Sequence, residues 1–170
     1  MKKVDYLSPI GVIEITGTEE AIYDVSYTDK QQVEYVFKEK LPHAVKDCYT
    51  QLDEYFKGER TEFDLPFKLE GTPFQQEVWQ ALREIPYGKT GSYRDIAVAI
   101  KRDKAVRAVG AANSKNKISI IFPCHRIIGA SGKLTGYAGG LWRKEWLLEH
   151  EQKILNTLAC QAEGSFSKSK

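Results

Sequence analysis

An apolar run from Ile118 to Ile128 constrains the fold most, because a Pro-Cys-His-Arg sequence interrupts it. Its first half, residues 118–122, is β-branched and aromatic with little alternation, which predicts a fully buried strand. Pro123 ends that strand. A thiol, an imidazole and a guanidinium then follow directly before a second apolar pair. We therefore expect these three groups on a turn inside or beside the core.

The adjacent Cys124 and His125 have two interpretations. An imidazole near a thiol lowers the pKa of the thiol and raises its nucleophilicity, which favours an activated thiolate. Neighbouring residues on a strand point to opposite faces, however, so His125 can reach Cys124 only across a turn or through a bridging water. A structural cysteine beside a hydrogen-bonded histidine is the commoner arrangement for an isolated pair. The pair alone leaves both interpretations open.

Composition limits the class of protein. The chain has 170 residues, 42% of them hydrophobic, which suffices for one domain or two small ones without metal or disulfide. Three widely spaced cysteines argue against a disulfide framework and for the reducing cytoplasm. No CxxC or paired His/Cys spacing occurs, so we expect no metal site. No signal or membrane-spanning segment is expected, and a net charge of +2 permits a polyanionic partner.

Residues 1–66 are predicted to form a small N-terminal domain of sheet and helix. Three short alternating segments within residues 1–28 are joined by tight turns, which predicts an antiparallel meander. A helix from about residue 42 to 57 carries an apolar stripe that includes Cys48, which we assign to the core. Residues 63–67 are expected to add an edge strand. The sequence of this segment indicates no catalytic or binding motif.

Residues 71–155 are predicted to form a mostly helical second domain. Residues 72–75 carry a capping box with proline at the first helical position, and a helix follows. A second capping signal opens a helix over residues 92–100, and a third short helix covers residues 104–113. Two short helices across a turn have the outline of a helix-turn-helix. The expected class is α+β, with a winged-helix-like second domain.

The third of these helices is poor in large side chains, so its backbone can approach a surface closely. Arg107 stands out of this thin face and supplies a charge and a planar group able to stack. Basic residues border the helix-turn-helix: Lys89, Arg94, Lys101, Arg102, Lys104, Arg107, Lys115 and Lys117. The charge alone favours neither a nucleic-acid-binding surface nor an ordinary solvated helix face over the other.

The last helix is predicted to span about Leu141 to Leu155, after glycine-rich segments that let backbone lie close to a ligand. Glu151 points the same way as the leucines of its apolar stripe. An inward acid needs a partner, and His125 would complete a Cys-His-Glu relay. An exit of Glu151 to solvent fits the spacing equally well. Residues 156–170 are expected to form a flexible tail.

The second half closely resembles the O6-alkylguanine-DNA alkyltransferases. The shared motifs occur in order as GTPFQ at 71–75, RAVGAAN at 107–113, PCHR at 123–126, GYAGGL at 136–141 and KEWLLEHE at 144–151. The first half fits that family's N-terminal sheet domain in size and pattern only. The resemblance is to the free-standing repair proteins, because no zinc-binding domain precedes the sheet. Related proteins that do not repair lack the cysteine that this chain carries as Cys124.

The resemblance implies single-turnover DNA repair without a cofactor. Duplex DNA containing O6-alkylguanine would bind the helix-turn-helix through the minor groove, and the damaged base would leave the stack. Cys124 would accept the alkyl group from guanine O6 irreversibly, with thymine O4 as a further candidate. The protein would act as a monomer, with cooperation along DNA left open.

The resemblance also implies roles for single residues. His125 would take the thiol proton through a water, polarised by Glu151, while Asn116 holds the turn. Tyr93 would donate to guanine N3, and Arg107 would fill the gap left by the extruded base. The other implied DNA contacts are Ser92, Arg94, Ala105, Val106, Ala108 and Gly110, and the implied pocket residues are Ser119, Ile127, Tyr137 and Ala138.

Two other classes of protein remain as alternatives. A lesion-binding or regulatory helix-turn-helix protein would not transfer the alkyl group, and the presence of Cys124 disfavours it. A Cys-His-Glu hydrolase would act on small substrates. The arginine-bearing alanine helix disfavours that class.

Overall fold

The N-terminal part of the chain is a three-stranded antiparallel meander. The computed structural model describes residues 1–129, 131–132 and 134–168. The strands are β1 (Lys2–Ser8), β2 (Gly11–Gly17) and β3 (Ile22–Tyr27), in the order β1-β2-β3. Val4, Ile15 and Val25 lie side by side across the sheet and are fully buried. The period-2 alternation therefore buries one face, and the predicted meander is confirmed.

The buried face of this sheet is covered by helix α1 (His43–Phe56), which contacts all three strands. Cys48 on α1 is fully buried, as expected for a core residue. The predicted edge strand at residues 63–67 is wrong, because only an isolated bridge between Phe67 and Ile22 forms. Pro66 lacks an N–H, which limits the pairing that this segment can make with β3.

The second half contains helices α2 (Pro73–Leu82), α3 (Tyr93–Ala99), α4 (Val106–Ser114) and α5 (Leu141–Lys168). Both predicted capping boxes form. At α2 the Gln75 amide donates to Thr72 Oγ1 at 3.1 Å and the Thr72 amide to Gln75 Oε1 at 3.0 Å. Helices α2, α3 and α4 pack against one another. Two short strands, β4 (Gly91–Ser92) and β5 (Ile127–Ile128), pair in parallel.

The strand predicted at residues 118–122 is wrong, because this segment is a buried turn. The Ile121 amide donates to the Ser119 carbonyl at 2.8 Å, and Ile120 between them has a φ of 72°. That conformation costs about 1–3 kcal/mol in a residue with a Cβ. The Asn116 side chain accepts from the Ile118 amide and donates to the Phe122 carbonyl, both at 3.0 Å. An apolar run can be a buried turn when a side-chain amide satisfies its backbone.

The predicted end of the last helix near Leu155 is also wrong, since α5 continues to Lys168. Leu158, Ala159 and Gln161 favour helix, and no proline interrupts them. Residues 156–162 are exposed, so propensity rather than packing extends the helix. Residues 169–170 of the predicted tail, like Ala130 and Lys133 of the glycine-rich loop, lie outside the described residues.

One hydrophobic core includes residues from both halves of the chain. Val25 joins the halves through backbone hydrogen bonds, accepting from the Ser119 amide at 3.0 Å and donating to the Lys117 carbonyl at 2.9 Å. Because the two halves share one core, the division into a first domain that ends at residue 66 and a second that begins at residue 71 stays a prediction. Among the described helices, none combines the length and the hydropathy that a membrane crossing requires.

Candidate active site

Cys124 lies on a tight turn at the edge of a cavity. Its amide donates to the Phe122 carbonyl at 2.7 Å around Pro123, whose φ and ψ of −78° and 62° define an inverse γ-turn. The cavity has a volume of about 340 Å³ and is lined by Tyr93, Gly110, Asn113, Ser114, Asn116, Ser119, Cys124, Gly136, Tyr137 and Ala138. This volume suits a small planar ligand, and 6% exposure leaves Cys124 almost inaccessible to larger ones.

The Cys124 thiol is neutral at rest. Burial raises its pKa, and this effect outweighs the opposing influence of Asn116, Lys144 and Tyr137. Asn116 Nδ2 lies 3.3 Å from Sγ and can donate to it. Of the two interpretations of the Cys-His pair, a resting thiolate is therefore not favoured, because desolvation dominates in this core position. A reaction at Sγ needs a base that removes the proton.

His125 has the tautomer and the charge state of such a base. Its Nε2 lies 2.7 Å from Glu151 Oε2, and both side chains are fully buried. The carboxylate can only accept, so Nε2 carries the hydrogen and Nδ1 holds the free lone pair. Nδ1 is buried and has no hydrogen-bond partner within the described residues. Burial, together with the nearby charges of Arg126 and Lys144, lowers the pKa of His125 in spite of the Glu151 carboxylate, which favours a neutral imidazole.

Glu151 is the centre of a buried network. Arg126 donates through Nε to Oε1 at 2.9 Å and through Nη2 to Oε2 at 3.1 Å. The Tyr55 hydroxyl donates to Oε2 at 2.6 Å and the Gly88 amide to Oε1 at 3.2 Å. Burial alone would raise the pKa of Glu151, but His125 and Arg126 hold it far below its usual range. The inward orientation of Glu151 is confirmed, and its exit to solvent is excluded.

The cavity brings together most of the predicted pocket residues. Ser119, Tyr137 and Ala138 line it, and so does Tyr93, whose hydroxyl lies 3.0 Å from Thr135 Oγ1. Ile127 does not line it: the residue is fully buried, and its backbone pairs with Gly91 in the β4–β5 ladder.

Sequence reasoning missed several residues of this site. Asn113 and Ser114 line the cavity, and their spacing from Gly110 on α4 could have placed them there. Arg126 stands beside His125 in the sequence, yet only the structure reveals its bidentate contact with Glu151. Tyr55 gave no signal, because it lies on α1 in the other half of the chain.

The outer face of the helix-turn-helix carries small side chains and basic side chains. Arg107 and Ala108 on α4 and Arg94 on α3 are exposed, whereas Val106 and Gly110 are half-buried. Ala105, expected to pack inward with Val109 and Ala112, is only half-buried because it precedes the first turn of α4. Ser92 caps α3 by accepting from the Asp95 amide at 3.0 Å. Of the bordering basic residues, Arg102 pairs with Glu77, and the others form no ion pair within the described residues.

Comparisons with known proteins give one consistent family. The DNA binding domain of 6-O-methylguanine DNA methyltransferase matches residues 73–153, and the ribonuclease-like domain of that protein matches residues 1–69. The methylated-DNA–protein-cysteine methyltransferase of Methanosarcina barkeri is 46% identical over 153 residues, which are 87% of this chain and 95% of the relative. The constitutive enzyme of that name from Bacillus subtilis is 46% identical over 139 residues, covering 78% and 83%.

A solved structure also resembles most of this chain. The crystal structure of Mycobacterium tuberculosis OGT in complex with DNA has a TM-score of 0.78 and 46% sequence identity, covering 88% of this chain and 92% of that one. The similarity therefore extends over the sheet, the helix-turn-helix and the cysteine turn together.

Proposed function

The chain belongs to the 6-O-methylguanine DNA methyltransferase family, and we propose that it repairs duplex DNA by transferring the O6-alkyl group of guanine to its own Cys124. One observation carries the assignment of the acceptor. The Cys124 thiol adjoins a cavity with the volume of a small planar ligand, next to a neutral buried imidazole that Glu151 orients. This arrangement supports the roles of nucleophile, base and orienting group for Cys124, His125 and Glu151.

In this mechanism Sγ attacks the alkyl carbon as the bond from that carbon to guanine O6 breaks. The thiol proton passes through a water to Nδ1 of His125, while Nε2–H stays bonded to Glu151. Asn116 holds the turn and donates to Sγ as it becomes negative. Tyr93 exchanges its contact with Thr135 for guanine N3 and offsets charge on the leaving base. The product thioether resists cellular reductants, so each molecule reacts once without a cofactor.

The position of Sγ supports base flipping. A base inside a duplex cannot reach a thiol that is 6% exposed beside a cavity, so the damaged guanosine must leave the stack. Helix α4 faces the cavity with Gly110 and Asn113 and solvent with Arg107. The exposed position of Arg107 on the helix that lines the cavity supports the proposal that it fills the gap left by the flipped base. The other proposed DNA contacts are Ser92, Arg94, Ala105, Val106, Ala108 and Gly110.

Further parts of the proposal follow from the same site. We also propose that the protein acts as a monomer on DNA, with thymine O4 as a further candidate alkyl donor. It works in the cytoplasm, because the reaction needs Cys124 as a thiol. All three cysteines are free. The assigned domains remain 1–66 for the sheet and helix, 71–155 for catalysis and 156–170 for the tail.

Intact-mass measurement tests the function. Wild-type protein incubated with an O6-methylguanine duplex should gain one methyl group, located by peptide mapping at Cys124, and the DNA should be left with guanine. Tight binding without a mass gain would instead indicate a lesion-binding protein. Turnover of small esters with unchanged protein mass would indicate a hydrolase.

The pH dependence of transfer tests the state of His125. The base must be neutral, and burial lowers its pKa from the usual 6.5. The single-turnover rate should therefore stay constant as pH falls through 6.5 and decline only when the pH reaches the lowered pKa. Rapid-quench measurements between about pH 5 and 8, with DNA affinity measured at each pH, would check this. A decline centred at the ordinary histidine pKa would contradict a buried neutral base.

The extrusion role of Arg107 predicts a substrate-dependent loss. Arg107→Ala should slow transfer from duplex DNA by about tenfold or more, because the vacated stack is no longer filled. Transfer from free O6-benzylguanine, which needs no extrusion, should be nearly unchanged. Lys153→Ala, at an exposed position on α5, is the matched control and should leave both rates unchanged. Equal losses on the two substrates in Arg107→Ala would exclude this role.

A further inference from the structure

Strand β3 contacts both sides of the cavity beside Cys124, which is called the base cavity below because the flipped base would enter it. It is an edge strand, and the unpaired edge of its backbone binds the cysteine turn. Val25 exchanges hydrogen bonds with Lys117 and Ser119, and Ser119 lines the cavity. Two residues along the strand, the Tyr27 hydroxyl lies 2.7 Å from the hydroxyl of Tyr137, which also lines the cavity. One short strand thus connects two walls of the cavity.

The ring of Tyr27 is itself held in place. A Cβ at Gly139 would lie 2.5 Å from the ring, so this glycine packs flat against it. The Arg143 guanidinium lies 5.0 Å from the ring centroid. Arg143 donates to the Gly139 carbonyl at 2.9 Å and to the Ile10 carbonyl at 2.8 Å, and so ties the ring to the N-terminal sheet. Tyr27 is therefore a fixed point from which Tyr137 can be positioned.

Tyr137 needs such a fixed point. It belongs to residues 134–140, which form neither helix nor strand between β5 and α5. Its backbone carbonyl accepts from the Gly140 amide, a contact within the same segment. The hydroxyl contact with Tyr27 and the edge contact of the two rings, at 5.8 Å between centroids, join it to the sheet. Burial raises the pKa of both tyrosines, so both hydroxyls remain neutral donors.

We propose that Tyr27 is a positioning residue that sets the width of the base cavity, and so limits the size of the alkyl group transferred. This inference rests on the proposed transfer of the alkyl group to Cys124. Tyr27 does not touch the substrate and acts through Tyr137. A methyl group adds little to the volume of the flipped base. A benzyl group needs the Tyr137 wall to move away from the Ser119 wall. Loss of the contact between the hydroxyls should therefore favour bulky groups over methyl.

Tyr27→Phe tests this, because it removes the hydroxyl and keeps the ring against Gly139 and Arg143. The ratio of transfer rates for O6-benzylguanine and O6-methylguanine in the same duplex should rise by about threefold to tenfold, the effect of one hydrogen bond. Tyr23→Phe is the matched control on β3, since the Tyr23 hydroxyl has no side-chain partner among the described residues. Its ratio should equal that of wild type. DNA affinity should be unchanged in both variants; Tyr23→Phe should keep the wild-type Tm, and Tyr27→Phe should lose only about the stability of one hydrogen bond.

A double-mutant cycle separates positioning from a general loosening of the fold. Tyr137→Phe should raise the ratio as Tyr27→Phe does, and the double variant should add nothing further. An unchanged ratio in Tyr27→Phe, an equal rise in Tyr23→Phe or additive effects would each overturn the inference. Wild-type protein is measured first on both lesions. If it gains no alkyl group, the proposed function fails too; if it does, only the role of Tyr27 is at stake.

Discussion

Cys124→Ala is expected to abolish alkyl transfer and to leave binding to lesion-containing duplex nearly unchanged. Within the described part of the chain no other sulfur lines the cavity: Cys48 is buried on α1 and Cys160 is exposed on α5. Alanine keeps the Cβ, and Asn116 keeps its contacts with Ile118 and Phe122, so the turn should persist. Intact mass should show no methyl gain, while a mobility-shift titration should give an affinity close to that of wild type.

The other two cysteines provide matched controls for this result. Cys160→Ala should transfer one methyl group at the wild-type rate. Cys48→Ala should lower stability through a small cavity and still complete the transfer below its Tm. A mass gain in Cys124→Ala, or its loss in Cys160→Ala, would move the acceptor elsewhere and contradict the assignment.

Glu151→Ala should lower the free energy of unfolding by about 3–5 kcal/mol, because it leaves the Arg126 guanidinium buried without its counter-charge. Tyr55, Gly88 and His125 lose an acceptor at the same time. Transfer should also slow, since nothing then fixes the tautomer of His125. Chemical denaturation and single-turnover kinetics on the same preparation would measure both effects.

A change of surface charge on the same helix is the control for this loss. Glu149→Ala, two residues away and exposed, should change stability by less than about 0.5 kcal/mol. Glu151→Gln keeps the volume and one acceptor and should fall between the two. If Glu151→Ala were no less stable than Glu149→Ala, the network would not contribute to the folded state as its geometry indicates.

Short-range sequence patterns predicted most of the helices and strands. Side chains three residues apart made the two capping boxes, and alternation over a few residues predicted the meander. The buried turn was mistaken for a strand because its backbone is satisfied by Asn116, whose amide lies outside the apolar run. Hydropathy alone does not distinguish these two ways of burying Ile118 to Phe122.

Within the site, the residues found from sequence were those that one motif or one helical period connects. Cys124 and His125 are adjacent, and Glu151 shares a stripe with the leucines of α5. Tyr55 and Tyr27 were missed because their contacts, with Glu151 and Tyr137, join residues about a hundred positions apart. No pattern within either half can indicate such a contact, which exists only once the sheet docks against the cysteine turn.

The raised pKa and deep burial of the Cys124 thiol also determine how long the protein keeps its activity while it waits for a lesion. Peroxides and electrophiles react with thiolates much faster than with thiols, and the resting Cys124 sulfur is a buried thiol with a raised pKa. A catalyst that turns over many times can tolerate an occasional inactivating encounter. For a protein consumed by a single reaction, each such encounter would remove one future repair from the cell. The low resting reactivity of Cys124 thus preserves the supply of unused molecules.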